Sequence, residues 1–192
     1  TIVKKRFLDS VSNNKVLGVY KLNDDQLNLK DEKLFSETLK EELPKYDLVI
    51  VSDYGHGFIS RKSANLICRY SKSLSLNAQI NSSNIGYHSM KNYTNINCVI
   101  INEKEIRHEL RDRNSNIEDL MKKLSSEQKI KNLIVTRGSL GLILYNSKKD
   151  NFDHCEAFAK TIKDKIGAGD ALLSILSLCL SKKMDLKLST LI

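Results

Sequence analysis

Hydrophobic residues along the chain form short continuous runs that alternate with segments of helical spacing. The runs over residues 47–52 (DLVIVS) and 132–136 (NLIVT) are typical of strands that are buried on both faces of a parallel sheet. Residues 31–43 repeat their apolar positions as an amphipathic helix does, and this pattern stops at Pro44. The chain therefore alternates between buried strands and surface helices.

The same two patterns predict the other elements. Strands are expected at residues 2–8, 16–22, 47–52, 76–80, 98–101, 132–136 and 142–145. Helices are expected at residues 31–43, 60–73, 103–111, 117–129 and 169–182. Strands separated by helices imply right-handed crossovers, so the predicted fold class is α/β, with a doubly wound, mainly parallel sheet flanked by helices. We expect one domain over residues 1–192, with a β part in residues 1–30 and an α/β core in residues 31–192.

A glycine-rich segment opens the last predicted helix. There Gly167, Ala168 and Gly169 precede Asp170 in the sequence DKIGAGDA. Backbone N–H groups at a helix N-terminus attract a phosphate oxygen, and a carboxylate in the first turn can accept a proton from a substrate hydroxyl. A plain glycine turn followed by a helix-favouring acid explains the same residues, so the segment alone leaves both interpretations open.

Polar residues also follow two of the predicted strands, where ligands of doubly wound sheets collect. Asn102 and Glu105 lie one helical turn apart, and an amide and a carboxylate so placed suit Mg²⁺ and phosphate bridged by water. An N-cap asparagine with a capping-box glutamate is the alternative. Thr136 and Gly138 follow the strand NLIVT, either as a loop that meets a nucleotide or as an ordinary hairpin turn.

The remaining candidate residues are one aspartate, the histidines and the cysteines. Asp53 follows a buried strand and is either a contact for the substrate or metal-bound water, or a turn acid. His88, His108 and His154 have no partners at metal-binding spacing, so we expect them at the surface or in turns. The four cysteines form no CxxC pair, which disfavours zinc and favours buried thiols in a reducing cytoplasm.

Composition narrows the function further. The 192 residues carry a net charge of +8, but the lysines alternate with acids and form no basic cluster, so we expect no nucleic-acid partner. No apolar run is long enough to cross a bilayer and no signal-like segment opens the sequence, so we expect a cytoplasmic protein without a membrane partner. The motif GxxxxGK[ST] is absent, which excludes a P-loop kinase.

The order of the motifs along the chain resembles that of the ribokinase-like (PfkB) carbohydrate kinases. The motifs N-x-x-E, V-T-x-G, A-F-A and D-x-x-G-A-G-D follow one another at spacings similar to those of the family. Glu156 replaces a proline that usually precedes A-F, and Lys165 and Ile166 stand where the family often has two threonines. Neither difference changes the glycines or Asp170.

This resemblance implies an ATP- and Mg²⁺-dependent phosphotransferase whose acceptor is a hydroxyl of a sugar or sugar phosphate. Asp170 would be the base, and the backbone N–H groups of Gly167, Ala168 and Gly169 would form the anion hole. The implied nucleotide contacts are Asn81, Asn102, Glu105, Thr136 and Gly138. The resemblance also implies that Asn102 and Glu105 organise Mg²⁺ through water.

Within the family, the nearest resemblance is to the kinases that phosphorylate heptose 7-phosphate on the route to ADP-heptose. The segments SDYGHG (residues 52–57) and NAQIN (residues 77–81) support it, with His56 in the place of a lysine. A PfkB-type kinase that acts on ribose, a nucleoside or fructose phosphate is the alternative enzyme. A non-catalytic kinase-like module of a polysaccharide-synthesis protein is the alternative from another class.

The resemblance covers only part of a complete family member. The chain starts at Thr1 on strand-forming residues and ends at Ile192 in a helical pattern, so we expect a fragment that keeps a remnant of the small β lid in residues 2–22. Lid sheets of the family often form dimer contacts, which makes a homodimer the expected assembly. The resemblance further allows a nucleotidyltransferase domain fused to the kinase in the parent protein.

Overall fold

The computed structural model describes residues 2–11, 15–23, 25–80, 88–158 and 167–184. The strands within these residues are β1 (Val3–Leu8), β2 (Lys15–Lys21), β3 (Val49–Asp53), β4 (Leu74–Ala78), β5 (Cys98–Asn102), β6 (Asn132–Thr136), β7 (Leu142–Asn146) and β8 (Asn151–Cys155). The α-helices are α1 (Leu29–Glu42), α2 (Arg61–Tyr70), α3 (Glu103–Leu110), α4 (Ile117–Gln128) and α5 (Ala168–Ser181). Single 3-10 turns lie at Leu43–Lys45, Met90–Asn92 and Gly138–Leu140.

A six-stranded sheet in the order β3-β4-β5-β6-β7-β8 forms the centre of the molecule. Its first four strands are parallel, whereas β7 and β8 pair in antiparallel fashion. Because β7 is antiparallel to both β6 and β8, these two strands run in the same direction. Asn102, Thr136, Leu142 and Cys155 consequently lie in one row at the carboxyl edge of the parallel strands. The predicted α/β class with a mainly parallel sheet is confirmed.

The two faces of the sheet pack against different helices. In β5, Val99 and Ile101 point to one face, whereas Cys98 and Ile100 point to the other, as the two-residue period of a strand requires. Helices α1 to α4 share the core of the first face, and α5 covers the second face. This arrangement leaves the carboxyl edge as the place where loops from both layers meet.

The strands β1 and β2 form a separate two-stranded antiparallel sheet. Every residue of β1 is exposed, including Phe7 and Leu8. The hairpin contacts the α/β core through Lys4, whose Nζ lies 5.0 Å from the centre of the Tyr54 ring. The division of the chain near residue 30 into a β part and an α/β core stays a prediction.

One strand is missing from the sequence prediction. The sequence NFDHC of β8 has mainly polar residues, and its side chains are exposed or only half-buried, so the apolar run that marks a buried strand is absent. Elsewhere the predicted elements exist and their ends differ by a few residues; α2, for example, ends at Tyr70. Among the described residues, none of the helices is long and apolar enough to cross a membrane.

Candidate functional site

The glycine-rich segment forms the first turn of α5. Gly167 is the N-cap residue and adopts a left-handed conformation with a φ of 81°, which favours glycine. Its carbonyl accepts a hydrogen bond from the N–H of Ala171 at 2.9 Å. A Cβ placed on Gly167 or on Gly169 would meet no neighbouring atom of the described chain within 4 Å. Because the first N–H groups of a helix have no partner within the helix, this turn presents donors to open space.

Asp170 lies in that first turn with an exposed side chain. Its backbone carbonyl accepts a hydrogen bond from the Ser174 hydroxyl at 2.9 Å. Within the described part of the chain, the carboxylate itself takes part in no hydrogen bond or ion pair. A carboxylate that the fold does not use, beside unpaired N–H donors, can accept a proton from a bound hydroxyl while the donors stabilise negative charge.

Asn102 and Glu105 form the capping box that was one of the two expected arrangements. The side chain of Asn102 accepts from the N–H of Glu105, and the Glu105 carboxylate accepts from the N–H of Asn102, both at 2.9 Å. The second carboxylate oxygen accepts from the N–H of Ile80 at 3.2 Å. Glu105 thus ties the end of β4 to the end of β5, and its burial raises the pKa of its carboxyl group.

A metal role for this pair has to be compatible with those hydrogen bonds. Glu105 is only 6% exposed and both of its oxygens already accept one N–H, so direct coordination of Mg²⁺ does not fit. Each carboxylate oxygen keeps a second lone pair, and Asn102 is exposed, which fits an ion bridged by water. Among the described residues there is no group of three or more histidine, cysteine or acidic side chains placed to hold a metal.

Thr136 and Gly138 lie in a tight loop between β6 and β7. Gly138 has a φ of 62° and faces open space, since an added Cβ would meet nothing within 4 Å among the described residues. The nearby Gly141 differs, because its Cβ would fall 2.0 Å from the Cys155 carbonyl oxygen. Gly141 is therefore required both by packing and by its φ of 79°, whereas Gly138 is required by backbone conformation and leaves its surface accessible among the described residues.

Asp53 is buried at the end of β3 and is held by two donors. Its carboxylate accepts from the Tyr93 hydroxyl at 2.6 Å and from the N–H of Gly55 at 2.9 Å. The Nε2 atom of His88 lies 4.0 Å from the same carboxylate, and the His88 side chain is only 7% exposed. Burial, together with the neighbouring carboxylate, raises the pKa of Tyr93.

His88 lies outside the helices and strands, but its side chain is not at the surface, which was one of the two expected positions. Its ring packs so closely against Gly55 that a Cβ on that glycine would lie 2.4 Å from the His88 Cγ atom. His154, in contrast, is exposed and interacts with Glu118 at 3.1 Å. Of the four thiols, only Cys98 is fully buried, and burial raises its pKa to about 12. Cys68, Cys155 and Cys179 are half-buried.

A cavity of about 280 Å³ lies between the β1–β2 hairpin and the loop that follows β3. Its lining includes Lys4 from β1 together with Asp53, Tyr54 and His56. The polar groups of this lining are a carboxylate, an ammonium group, a phenol and an imidazole, and the remaining lining residues are mainly apolar. Asp53 borders the cavity with a side chain that is only 8% exposed.

The structure brings most of the predicted residues to one edge of the sheet. Asn102 and Thr136 are direct neighbours in the β5–β6 register, and Asp53 lies three strands from Thr136, about 14 Å away at the usual strand spacing. β8 ends at the same edge, so the segment that leads to Gly167 starts there. Asn81 lies outside the described residues.

Sequence reasoning missed four residues of this edge. Tyr93 and His88 reach Asp53 from a segment 35 or more residues away, and no local spacing signals such a contact. Glu103 at the start of α3 pairs at 2.8 Å with Arg137 of the β6–β7 loop, and the two residues are adjacent only because β5 and β6 are paired. Recognition that both residues follow neighbouring strands was the one signal that could have suggested this pair.

The chain matches the family described as pfkB family carbohydrate kinase over residues 81–190, which is more than half of its length. It belongs to this family, and the resemblance drawn from the order of the motifs is confirmed. The matched range contains the β5–α3 junction, the β6–β7 loop and the first turn of α5.

Among individual proteins, the chain is similar to bifunctional protein HldE of Campylobacter curvus, at 29% identity over 188 residues, which are 96% of this chain and 38% of that protein. Phosphofructokinase-2 from Escherichia coli, solved in complex with potassium, has a TM-score of 0.70 at 15% identity and covers 86% of this chain and 53% of its own. Ribokinase from Arabidopsis thaliana, complexed with ribose and ATP, has a TM-score of 0.60 at 12% identity, with coverages of 91% and 55%. The chain thus spans little more than a third of the HldE relative and about half of the solved kinases.

Proposed function

We propose that this chain supplies the nucleotide-binding and catalytic part of a kinase that transfers the γ-phosphoryl group of ATP to a hydroxyl of a sugar phosphate. The proposed acceptor is heptose 7-phosphate. The observation that supports this most strongly is the first turn of α5, where an exposed aspartate, unpaired among the described residues, follows a glycine turn with no described atom near the Cβ positions of Gly167 and Gly169. Family membership supports the reaction class.

In the proposed reaction, Asp170 accepts the proton of the acceptor hydroxyl as the oxygen attacks the γ-phosphorus. The bond between that phosphorus and the bridging oxygen of ADP breaks, and ADP leaves. Backbone N–H groups at Gly167, Ala168 and Gly169 stabilise the charge on the transferring group. Phosphoryl transfer needs little covalent chemistry from the protein, and positioning with charge stabilisation supplies most of the rate.

The nucleotide would lie along the edge formed by β5 and β6. Thr136 and Gly138 would contact it, and Asn81 is proposed as a further contact. Mg²⁺, held through water by Asn102 and Glu105, would neutralise charge on the phosphates. ATP appears in the name of the Arabidopsis ribokinase structure, and that similarity of fold is consistent with the same nucleotide here.

The acceptor would enter the cavity between the hairpin and β3. Asp53 is fixed there by Tyr93 and Gly55, so its carboxylate can accept hydrogen bonds from sugar hydroxyls. Lys4 and His56 line the same cavity and supply positive charge or N–H donors for an anionic acceptor. The preference for heptose 7-phosphate rests on the SDYGHG and NAQIN segments and on similarity to HldE of Campylobacter curvus.

Two further parts of the proposal concern the protein around this chain. A homodimer through the β1–β2 hairpin is the proposed assembly, because nearly all the apolar side chains of that hairpin are exposed. A second catalytic domain in the same protein is consistent with the word bifunctional in the name of the HldE relative. We place the reaction in the cytoplasm, where ATP is available.

The test is phosphoryl transfer by the full-length protein with MgATP, assayed against heptose 7-phosphate, fructose 6-phosphate, ribose and a nucleoside. Transfer to heptose 7-phosphate alone is the expected result. Transfer only to another acceptor would keep the kinase and refute the heptose assignment. Binding of ATP without transfer to any acceptor would contradict the proposal and favour a non-catalytic module.

A further inference from the structure

An arginine lies at the centre of the loop that the proposed function assigns to the nucleotide. Arg137 stands between Thr136 and Gly138, and its backbone N–H donates to the Gly141 carbonyl at 2.8 Å. The loop is closed again by the N–H of Gly141, which donates to the Gly138 carbonyl at 3.0 Å. The backbone at Arg137 is therefore fixed, and only its side chain can adjust to a ligand.

The Arg137 side chain uses little of its hydrogen-bonding capacity. Its Nε donates to one oxygen of Glu103 at 2.8 Å, and the side chain is 27% exposed. Within the described part of the chain, neither terminal nitrogen of the guanidinium has a hydrogen-bond acceptor. A guanidinium held through Nε keeps both terminal nitrogens in a fixed plane, an arrangement suited to phosphate oxygens.

Glu103 is itself held from the other side. Its second oxygen accepts from Arg107 at 3.1 Å and 2.8 Å, and Arg107 also donates to the carbonyls of Arg113 and Ser115. One carboxylate therefore pairs with two guanidinium groups. Because Arg107 is also tied to backbone carbonyls, the guanidinium that keeps unpaired donors among the described residues is that of Arg137.

We propose that Arg137 binds a phosphate group of the nucleotide through its terminal nitrogens, and that Glu103 is a positioning residue that orients it. This inference rests on the proposed function, because it requires a nucleotide at the β6–β7 loop. It adds a charged side chain to a loop in which Thr136 and Gly138 offer only a hydroxyl and backbone groups. The chemistry recognised is a phosphate ester or anhydride, since uncharged adenosine offers no anion to the guanidinium.

The test measures dissociation constants of adenosine, AMP, ADP and ATP for the full-length protein and its variants. Arg137→Ala is expected to weaken the nucleotide whose phosphate it contacts about tenfold to hundredfold, the loss typical of a hydrogen bond to a charged group, and to leave adenosine unchanged. Arg137→Lys should recover part of the affinity, because it restores the charge without the fork. Glu103→Gln should weaken the same nucleotide by a smaller factor, about threefold to tenfold.

Arg107→Ala is the matched control, since it removes the other arginine of the same carboxylate. It should leave the affinity for adenosine unchanged and weaken the phosphorylated nucleotides by no more than Glu103→Gln does, and thermal unfolding verifies that each variant is folded. Equal losses for adenosine and ATP in Arg137→Ala, or no loss for any phosphorylated ligand while the wild type binds ATP, would overturn the inference and leave the proposed function standing. Failure of the wild type to bind any of the nucleotides would instead refute the proposed function, and this inference with it.

Discussion

Two junctions of the molecule combine a small set of polar residues with the start of a helix, yet they use those residues differently. At the β5–α3 junction, the side chains of Asn102 and Glu105 each accept a hydrogen bond from the backbone N–H of the other residue, and Glu105 also accepts from the N–H of Ile80. At the start of α5, no described side chain caps the helix, no described atom lies within 4 Å of a Cβ placed on Gly167, and the Asp170 side chain is exposed. The first junction holds the strands together, whereas the second leaves its donors and its carboxylate available to a ligand.

Gly141 in the β6–β7 loop and Gly169 in the first turn of α5 show the same contrast. Gly141 has no room for a Cβ because the Cys155 carbonyl lies in its place, so its lack of a side chain serves packing. Gly169 is helical and has room for a Cβ, so nothing in the described packing requires glycine there. The proposed approach of a phosphoryl group to the backbone would explain a glycine that the described packing does not require.

The largest effect is expected at Asp170. Asp170→Asn should lower the rate of phosphoryl transfer by about a hundredfold to ten-thousandfold, because a general base is lost, while ATP affinity and thermal stability stay near the wild-type values. Asp119→Asn is the matched control, since Asp119 is also an exposed acid at the third position of a helix. Full activity in Asp170→Asn would show that the proton acceptor is another group.

Gly169→Ala tests whether glycine at this position serves catalysis or stability. Alanine favours a helix over glycine by up to about 1 kcal/mol, so the free energy of unfolding should rise slightly. The methyl group should obstruct the approach of the phosphoryl group to the N–H donors and lower the transfer rate roughly a hundredfold, comparable to the loss of one such donor. Denaturant unfolding and turnover are measured on the same preparation.

Alanine variants of two other glycines serve as comparisons for Gly169→Ala. Gly167→Ala should lose activity and also about 1–2 kcal/mol of stability, because alanine is strained at a positive φ. Gly141→Ala should unfold or severely destabilise the protein through its clash with Cys155. A Gly169→Ala variant that is both more stable and fully active would remove the evidence that a ligand approaches this turn.

At Glu105 we expect a substitution to lower stability rather than to act mainly on catalysis. Glu105→Ala removes the acceptor of two backbone N–H groups in a buried position, so it should lower the free energy of unfolding by about 2–4 kcal/mol. Asn102→Ala removes only the N-cap and should cost about 1 kcal/mol. Loss of ATP binding in Glu105→Ala with unchanged stability would reverse the comparison and make Glu105 primarily a ligand-binding residue.

Much of the fold could be predicted because it depends on local pattern. The strands β3 and β6 are continuous apolar runs, and Pro44 lies in the 3-10 turn that follows α1. The expected burial on both faces holds for β6, whereas β3 lies at the edge of the sheet and has Ile50 and Ser52 exposed among the described residues. β8 escaped prediction because a strand at the edge of the sheet needs no continuous apolar run. Its position is set by pairing with β7, which no local pattern contains.

The candidate site shows the same division between local and distant causes. The glycine turn and the aspartate of α5 are adjacent in sequence, so their joint placement could be predicted. The environment of Asp53 could not, because Tyr93 lies 40 residues further along the chain and contacts Asp53 only in the folded sheet. The spacing of Asn102 and Glu105 predicted a capping box and a metal site as alternatives; the hydrogen bonds of the folded chain show the capping box, and Mg²⁺ bridged by water stays a prediction.

The smallest effect is a pH dependence that distinguishes two acids within the β5–α3 junction. Arg137 and Arg107 lower the pKa of Glu103, so its stabilisation is present above its unfolded value near 4.5 and is lost as the pH falls through the lower folded pKa. Burial raises the pKa of Glu105, so its ionisation makes the free energy of unfolding fall as the pH rises above 4.5. The difference in that free energy between wild type and Glu103→Gln should therefore shrink on acidification, by less than about 1 kcal/mol for a partly exposed pair. The difference between wild type and Glu105→Gln should instead grow on acidification. If the free energies of unfolding of the two variants depend on pH in the same way, the two carboxyl groups do not have oppositely shifted pKa values, and the prediction is wrong.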